Sequence, residues 1–167
     1  EGGWRVPCFV RWPGQFKAGT VLNGIVTHQD WLATFLAAAG VPDIKQKLLD
    51  GHKAGAKTFK VHLDGFDMLP YLKGEAKESP RNSFFYISDD GDIMAIRVND
   101  WKMVLMEQRA KQLACWMEPF VKLRVPKLFN LRRDPFERAD ENSNTYYDWM
   151  ISNAFAVYLM QGVVASM

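Results

Sequence analysis

The feature that most constrains this chain is a change of hydrophobic pattern about halfway along it. Up to residue 74 the order is extended run, loop, then amphipathic helix; from residue 83 one extended run follows another. Residues 83–88, 93–98 and 101–106 are rich in β-branched and aromatic side chains, and the turn sequences Asp89-Asp90-Gly91-Asp92 and Asn99-Asp100 separate them. Linkers this short join only antiparallel neighbours, so the spacing predicts a meander. Residues 127–131 supply a fourth strand, stopped by Asp134-Pro135, and a short helix is expected within 108–116. Thr145 and Asp148 are spaced as a capping pair for a last helix, expected to lie across the four-stranded sheet on Tyr146, Tyr147, Trp149, Met150, Ile151, Ala154, Phe155, Tyr158 and Leu159.

The first half reads differently. Gly2-Gly3 forms a tight loop feeding an apolar run, 6–12, that ends at Pro13-Gly14 and predicts a buried strand. A helix follows, capped by Thr27 and Asp30, with Trp31, Leu32, Phe35, Leu36 and Ala39 on one stripe and Gly40 and Pro42 at its end. Strand, loop and helix make one layer of an α/β sandwich, and a single layer is not a stable domain. The chain therefore reads as a fragment, and the 6–12 run is expected to lack sheet neighbours and lie exposed. Residues 41–58 are a polar surface excursion with at most one helical turn at 45–49, and 59–63 is a short strand. Asp64-Gly65 turns the chain into a short helix over 67–72, ended by Gly74, and 75–81 is a charged linker. The expected division is 1–78 and 79–167.

Composition removes several function classes. With 48% hydrophobic and 13% aromatic residues, 167 residues suffice for a packed core. A net charge of +2 from 21 basic and 19 acidic residues gives no footprint for nucleic acid. Local clusters, Lys53 with Lys57 and Lys60 or Arg132 with Arg133, read as solvated loop charges, with anion binding as the alternative. The longest apolar run, 154–160, is far short of the roughly 20 residues of a membrane span. Cys8 and Cys115 form no CxxC pair and read as buried free thiols.

Chemistry-bearing residues are sparse. His28 stands at a helix entry, where α/β folds place ligand crevices, although a solvent-facing or capping histidine fits as well. His62 and Asp64 form an H-x-D pair, too few ligands for a metal. Asp89, Asp90 and Asp92 invite a calcium reading, but the spacing departs from an EF-hand loop and a hairpin turn accounts for them. No G-x-S-x-G, P-loop or H-E-x-x-H sequence occurs.

Several segments taken in order resemble the C-terminal portion of bacterial arylsulfatase-type enzymes of the alkaline phosphatase superfamily. Glu1-Gly2-Gly3 through Arg5-Val6-Pro7 and Trp12-Pro13-Gly14 is similar to the family's E-G-G-x-R-V-P…W-P-G segment. Asp30 to Gly40 is similar to D-x-x-P-T-x-x-x-x-A-G, with Ala33 in place of the proline. Leu63-Asp64-Gly65 with Leu69-Pro70-Tyr71-Leu72 and Gly74 resembles the segment ahead of the small domain. Asp100-Trp101-Lys102, Leu128-Phe129-Asn130-Leu131, Asp134-Pro135 and Glu137 resemble strand motifs within it.

The resemblance implies an α/β parent, of which this chain holds one strand-helix layer of the large domain plus a small α+β C-terminal domain. It implies a sulfuric ester hydrolase with a formylglycine nucleophile made in a C/S-x-P-x-R motif, and calcium held by Asp and Asn side chains. Neither Cys8-Phe9-Val10-Arg11 nor Cys115-Trp116-Met117-Glu118 fits that motif. Nucleophile, calcium ligands and a sulfate-binding lysine are all expected upstream, with the sulfate-ester substrate engaged through the missing N-terminal domain. On this reading the fragment alone is inactive, with no catalytic residue and no metal ligand, and His28, Asp89, Asp90 and Asp92 stand at the margin of the substrate pocket. The family's usual location is periplasmic or secreted. Two other readings stay open: a non-catalytic interaction or polymer-binding module, and a phosphonate or phosphodiester hydrolase of the same superfamily.

Overall fold

The structure, a computed structural model, describes residues 2–165, so Glu1 of the opening segment lies outside it. The described residues form two compact units, 9–82 and 83–165, the second joined by 2–8.

In the 9–82 unit, helix α1 (Asp30–Ala38) ends in a Schellman motif: the Gly40 N–H donates to the Ala37 carbonyl at 3.0 Å and Val41 to Leu36 at 2.8 Å. Gly40 supplies the φ of 90° that this ending requires. The returning chain enters α2 (Ile44–Asp50), and Ala33, Ile44 and Leu48 bury together with Leu36, Val41 and Leu63 around them. A small hairpin of β1 (His52–Ala54) and β2 (Lys57–Phe59) follows, then α3 (Leu69–Lys73), closed by Gly74 in the left-handed region.

Three expectations for the first half of the chain are revised. Residues 6–12 form no strand, although they lack sheet neighbours and lie exposed as expected. A lone extended run has no ladder for its N–H and C=O groups, and this one lies in the open, with Phe9 93% exposed and Val6, Val10 and Trp12 exposed as well. The stripe expected to bury α1 is half exposed, Leu32 and Phe35 facing out, whereas Asp30, Ala33 and Thr34 face in. The strand expected at 59–63 begins earlier, as a hairpin from His52, and only Phe59 belongs to it. Its strands are almost wholly exposed, so they carry no in-out alternation to read.

The other unit matches the expected meander. Strands β3 (Ser83–Ile87), β4 (Ile93–Val98), β5 (Trp101–Glu107) and β6 (Val121–Asn130) pair antiparallel in sequence order. Ile96, Met103 and Leu128 stand opposite one another across β4, β5 and β6. This row is fully buried under Ala156 and Met160 of the last helix. β6 starts six residues before the expected Lys127, because its pairing skips from Val104↔Lys127 to Met106↔Lys122. Pro126, which has no N–H to give the ladder, sits in that bulge and masks the strand in the sequence.

The helical end is also revised. The 108–116 region holds a single 3₁₀ helix, Gln112–Trp116. After a short α4 (Ala139–Asn142), the expected single helix is two, α5 (Tyr146–Ser152) and α6 (Ala154–Ala165). Asn153 divides them, its side chain donating to the Trp149 carbonyl at 2.8 Å in competition with the helical ladder. Thr145 makes no side-chain capping bond. The face of this pair that meets the sheet carries Ala156 and Met160 with Met150, Val157, Val163 and Val164, while Tyr147, Ile151, Phe155, Tyr158 and Leu159 are exposed.

Candidate functional site

The densest polar construction in the 9–82 unit is built around Asp30, the first residue of α1 and 0% exposed. One carboxylate oxygen accepts from the Thr27 N–H at 2.8 Å and the Thr27 hydroxyl at 3.0 Å, the expected capping contact in one direction only. The other accepts from the Phe66 N–H at 2.9 Å. Arg81, in the segment read as a charged linker, is itself buried and forks onto Asp30, Nη2 to Oδ1 at 2.7 Å and Nε to Oδ2 at 2.9 Å. Its Nη2 also donates to the Asp64 carbonyl at 3.1 Å, and its guanidinium lies 4.8 Å from the Phe66 ring centre. With its amide oxygen turned to the guanidinium, Gln29 accepts from Nη1 at 2.9 Å.

Burial alone would push the Asp30 carboxyl up, but Arg81 and the Phe66 and Thr27 N–H groups together hold it below its ordinary value of 3.8. Thr34, one turn on, donates to the Asp30 carbonyl at 2.8 Å and accepts from the Met68 N–H at 3.0 Å. Gly65 completes the packing, since a Cβ there would stand 2.1 Å from the Gln29 carbonyl oxygen. Asp30, Thr34, Asp64 and Gly65, from two separate sequence motifs, therefore converge on one ion pair. In sequence Asp30 reads as part of a helix cap and Asp64-Gly65 as a turn, and only its place beside Pro80 sets Arg81 apart from a run that reads as a charged linker.

A parallel construction stands in the sheet unit. Lys102 of β5 is buried, pairs with Glu137 at 2.7 Å and lies 4.3 Å from the Tyr86 ring centre, and Trp4 packs edge-on against that ring. Burial pushes the Glu137 carboxyl up, and the positive groups around it, Lys102 foremost, bring it below its ordinary value. Glu137 adopts φ 54°, a left-handed conformation uncommon for a side chain of its kind. Nearby, Lys127 bridges Glu107 and Asp140, the latter at 2.6 Å, and the buried Tyr146 hydroxyl exchanges bonds with both backbone groups of Leu128.

Chemically these constructions are clamps. Each carboxylate is engaged by a cation, and both oxygens of Asp30 are taken up by hydrogen bonds from Arg81, Thr27 and Phe66, an arrangement suited to holding the fold rather than to moving a proton. The expected pocket-margin residues are no part of either clamp. His28 is exposed two residues before α1, in the 9–82 unit; Asp89, Asp90 and Asp92 are exposed on the β3–β4 turn of the other, which Ser88 closes by accepting from Asp92 and Gly91. Among the described residues no three His, Cys, Asp or Glu side chains gather as a ligand set. His62 and Asp64 touch at 3.2 Å, both well exposed. Cys8 and Cys115, read as buried thiols, are both exposed, since their apolar neighbours in sequence are exposed too. No described helix is long and apolar enough to cross a membrane.

No protein-family model matches the chain. It is 37% identical over 111 residues to an arylsulfatase of Hemicentrotus pulcherrimus, covering 66% of this chain and 17% of the relative. Over 148 residues it is 30% identical to arylsulfatase A of Homo sapiens, covering 82% of this chain and 26% of the relative. The steryl-sulfatase of Mus musculus is 33% identical over 86 residues, covering 52% and 12%. The PsFucS1 sulfatase from Pseudoalteromonas sp. shares the fold, with a TM-score of 0.62 at 24% identity over 93% of this chain and 28% of that one. The homologues of this chain are thus sulfatases, and it spans about a quarter or less of their length.

Proposed function

We propose that this chain is the C-terminal portion of an arylsulfatase-type sulfuric ester hydrolase, and that alone it is catalytically inactive. The observation that carries the reading is the 148-residue match to an arylsulfatase. The Asp30–Arg81 and Lys102–Glu137 clamps support it, because they give physical roles to Asp30, Asp64, Gly65, Lys102 and Glu137, all within the segments that resemble the family. In the parent, a formylglycine nucleophile and a calcium ion outside this chain would supply the activated oxygen and the charge neutralisation that sulfate-ester cleavage needs. On this reading the two clamps each brace their own unit, and His28 in one unit and Asp89, Asp90 and Asp92 in the other would be candidates for substrate contact.

The test compares the 167-residue chain with the longer gene product, both assayed on an aryl sulfate and on an aryl phosphodiester. The longer product is expected to hydrolyse the sulfate preferentially and the short chain neither. Turnover by the short chain would overturn its assigned inactivity. Preference of the longer product for the phosphodiester would move the parent to the phosphoryl-transfer branch of the superfamily, the runner-up that the same resemblance supports.

A further inference from the structure

The loop joining β5 to β6 presents an apolar knob that the sulfatase reading does not use. Leu113 is 79% exposed, Trp116 85% and Met117 78%, with Phe120 beside them at 39%. Scattered exposed apolar residues are ordinary; four within eight positions on one loop are not. The knob is also braced. The Gln108 side-chain amide donates to the Cys115 carbonyl at 3.2 Å and the Glu118 carbonyl at 2.6 Å, and its oxygen accepts from the Ala110 N–H at 2.8 Å. One polar side chain thus ties both limbs together and leaves the apolar ones outside.

The base of the loop is basic. Arg109, Lys111, Lys122 and Arg124 are all exposed, against a single acidic residue on the loop, Glu118. Arg109 also touches Glu107 at 2.9 Å. The β5–β6 pairing ends at Glu107↔Val121, so Lys122 and Arg124 lie one and three residues back from the root, about 3 and 10 Å along the strand. An apolar tip ahead of a collar of cations matches an anionic bilayer surface, where apolar side chains reach about 5–10 Å into the interface while lysine and arginine stay among the phosphates. Leu113 and Met117 favour hydrocarbon over a sugar polymer, which would be met by flat aromatic faces rather than aliphatic ones.

We infer that the 108–120 loop, with the basic residues at the start of β6, is a membrane-docking element that seats the protein peripherally on anionic lipid. The test is co-sedimentation of the full chain with phosphatidylcholine vesicles, with and without phosphatidylserine. Binding is expected only with phosphatidylserine and is expected to weaken as salt rises. Trp116→Ser with Met117→Ser is expected to lower it by about tenfold or more, and so is Lys122→Glu with Arg124→Glu. Because other apolar residues are exposed, equal binding by both double variants and the wild type would overturn the assignment. So would equal binding to the two vesicle types.

Cys115 supplies a readout that leaves the tip sequence intact. In a Cys8→Ser background, a polarity-sensitive fluorophore on Cys115 is expected to shift to the blue with phosphatidylserine vesicles and to be quenched by lipid-borne quenchers. An unshifted probe overturns the proposal even if the tip variants fold poorly. Retention on a sulfated polysaccharide that needs Trp116, with no vesicle binding, overturns it in favour of a polymer-binding loop.

Discussion

Asp30 and Arg81 show how much one pair of residues decides here. Each is a charge that the interior tolerates only because the other is present, and removing one partner of such a pair costs about 3–5 kcal/mol. Arg81→Met, which keeps the aliphatic stem over Phe66, is expected to lose stability of that order at neutral pH in urea unfolding. The pH dependence should also change sign. In the wild type the Asp30 carboxyl is held below 3.8, so its contribution is complete above that value and is lost as pH falls through the lower folded value. In Arg81→Met, burial, the largest influence on this carboxyl, is expected to outweigh the remaining Phe66 and Thr27 N–H bonds and raise the folded value above the unfolded one. The folded state then takes the proton more readily, and the variant is expected to gain stability as pH falls from neutral towards 4. A variant as stable as the wild type at neutral pH would show that the pair does not hold 9–82 together.

At the scale of elements, the meander was legible because its turns carry Asp-Gly and Asn-Asp signals between runs rich in β-branched and aromatic residues, even though burial does not alternate along the strands: Ala95 and Ile96, Lys102 and Met103, and Leu128 and Phe129 are buried as adjacent pairs. The Lys102 row shows where that logic stops: a buried lysine on β5 interrupts the apolar pattern, and only its pairing with Glu137, in a loop 35 positions on, explains it. The helices were legible as helices but not in orientation. Their apolar residues cover more than one side, and the sequence does not say which side meets the sheet. α6 carries no charged residue at all, so its periodicity is weak, and the buried positions proved to be Ala156 and Met160 rather than Phe155, Tyr158 and Leu159. Met160→Ala should therefore cost about 2–5 kcal/mol by emptying space above the Ile96, Met103 and Leu128 row. Tyr158→Ser, though it deletes a larger side chain, should change stability by less than about 0.5 kcal/mol. Chemical denaturation of the two variants side by side decides the orientation, and the reverse ranking would place Tyr158 in the core.

For the whole molecule, the question is what the exposed apolar surfaces are for. Residues 6–12 have the composition of a central strand and the environment of a loop, and the outer stripe of α1 shows Leu32 and Phe35 in the same way. The candidate site was illegible for a related reason: the chemistry the family resemblance implies is assigned to residues outside this chain, and the two clamps join residues too far apart in sequence, 30 with 81 and 102 with 137, for spacing to show them. If the chain is part of a longer sulfatase, the 6–12 run should gain strand partners in the full gene product and pair its backbone with them. Hydrogen exchange tests this directly. In the 167-residue chain the N–H groups of Val6 and residues 8–12 should exchange at nearly the unfolded rate, whereas β4 and β5 are protected. In the longer product the same amides should slow by orders of magnitude, with β4 and β5 unchanged. Exchange that stays fast in both would mean that these residues are a loop by design, and that the strand-like composition of the opening segment serves a surface rather than a sheet.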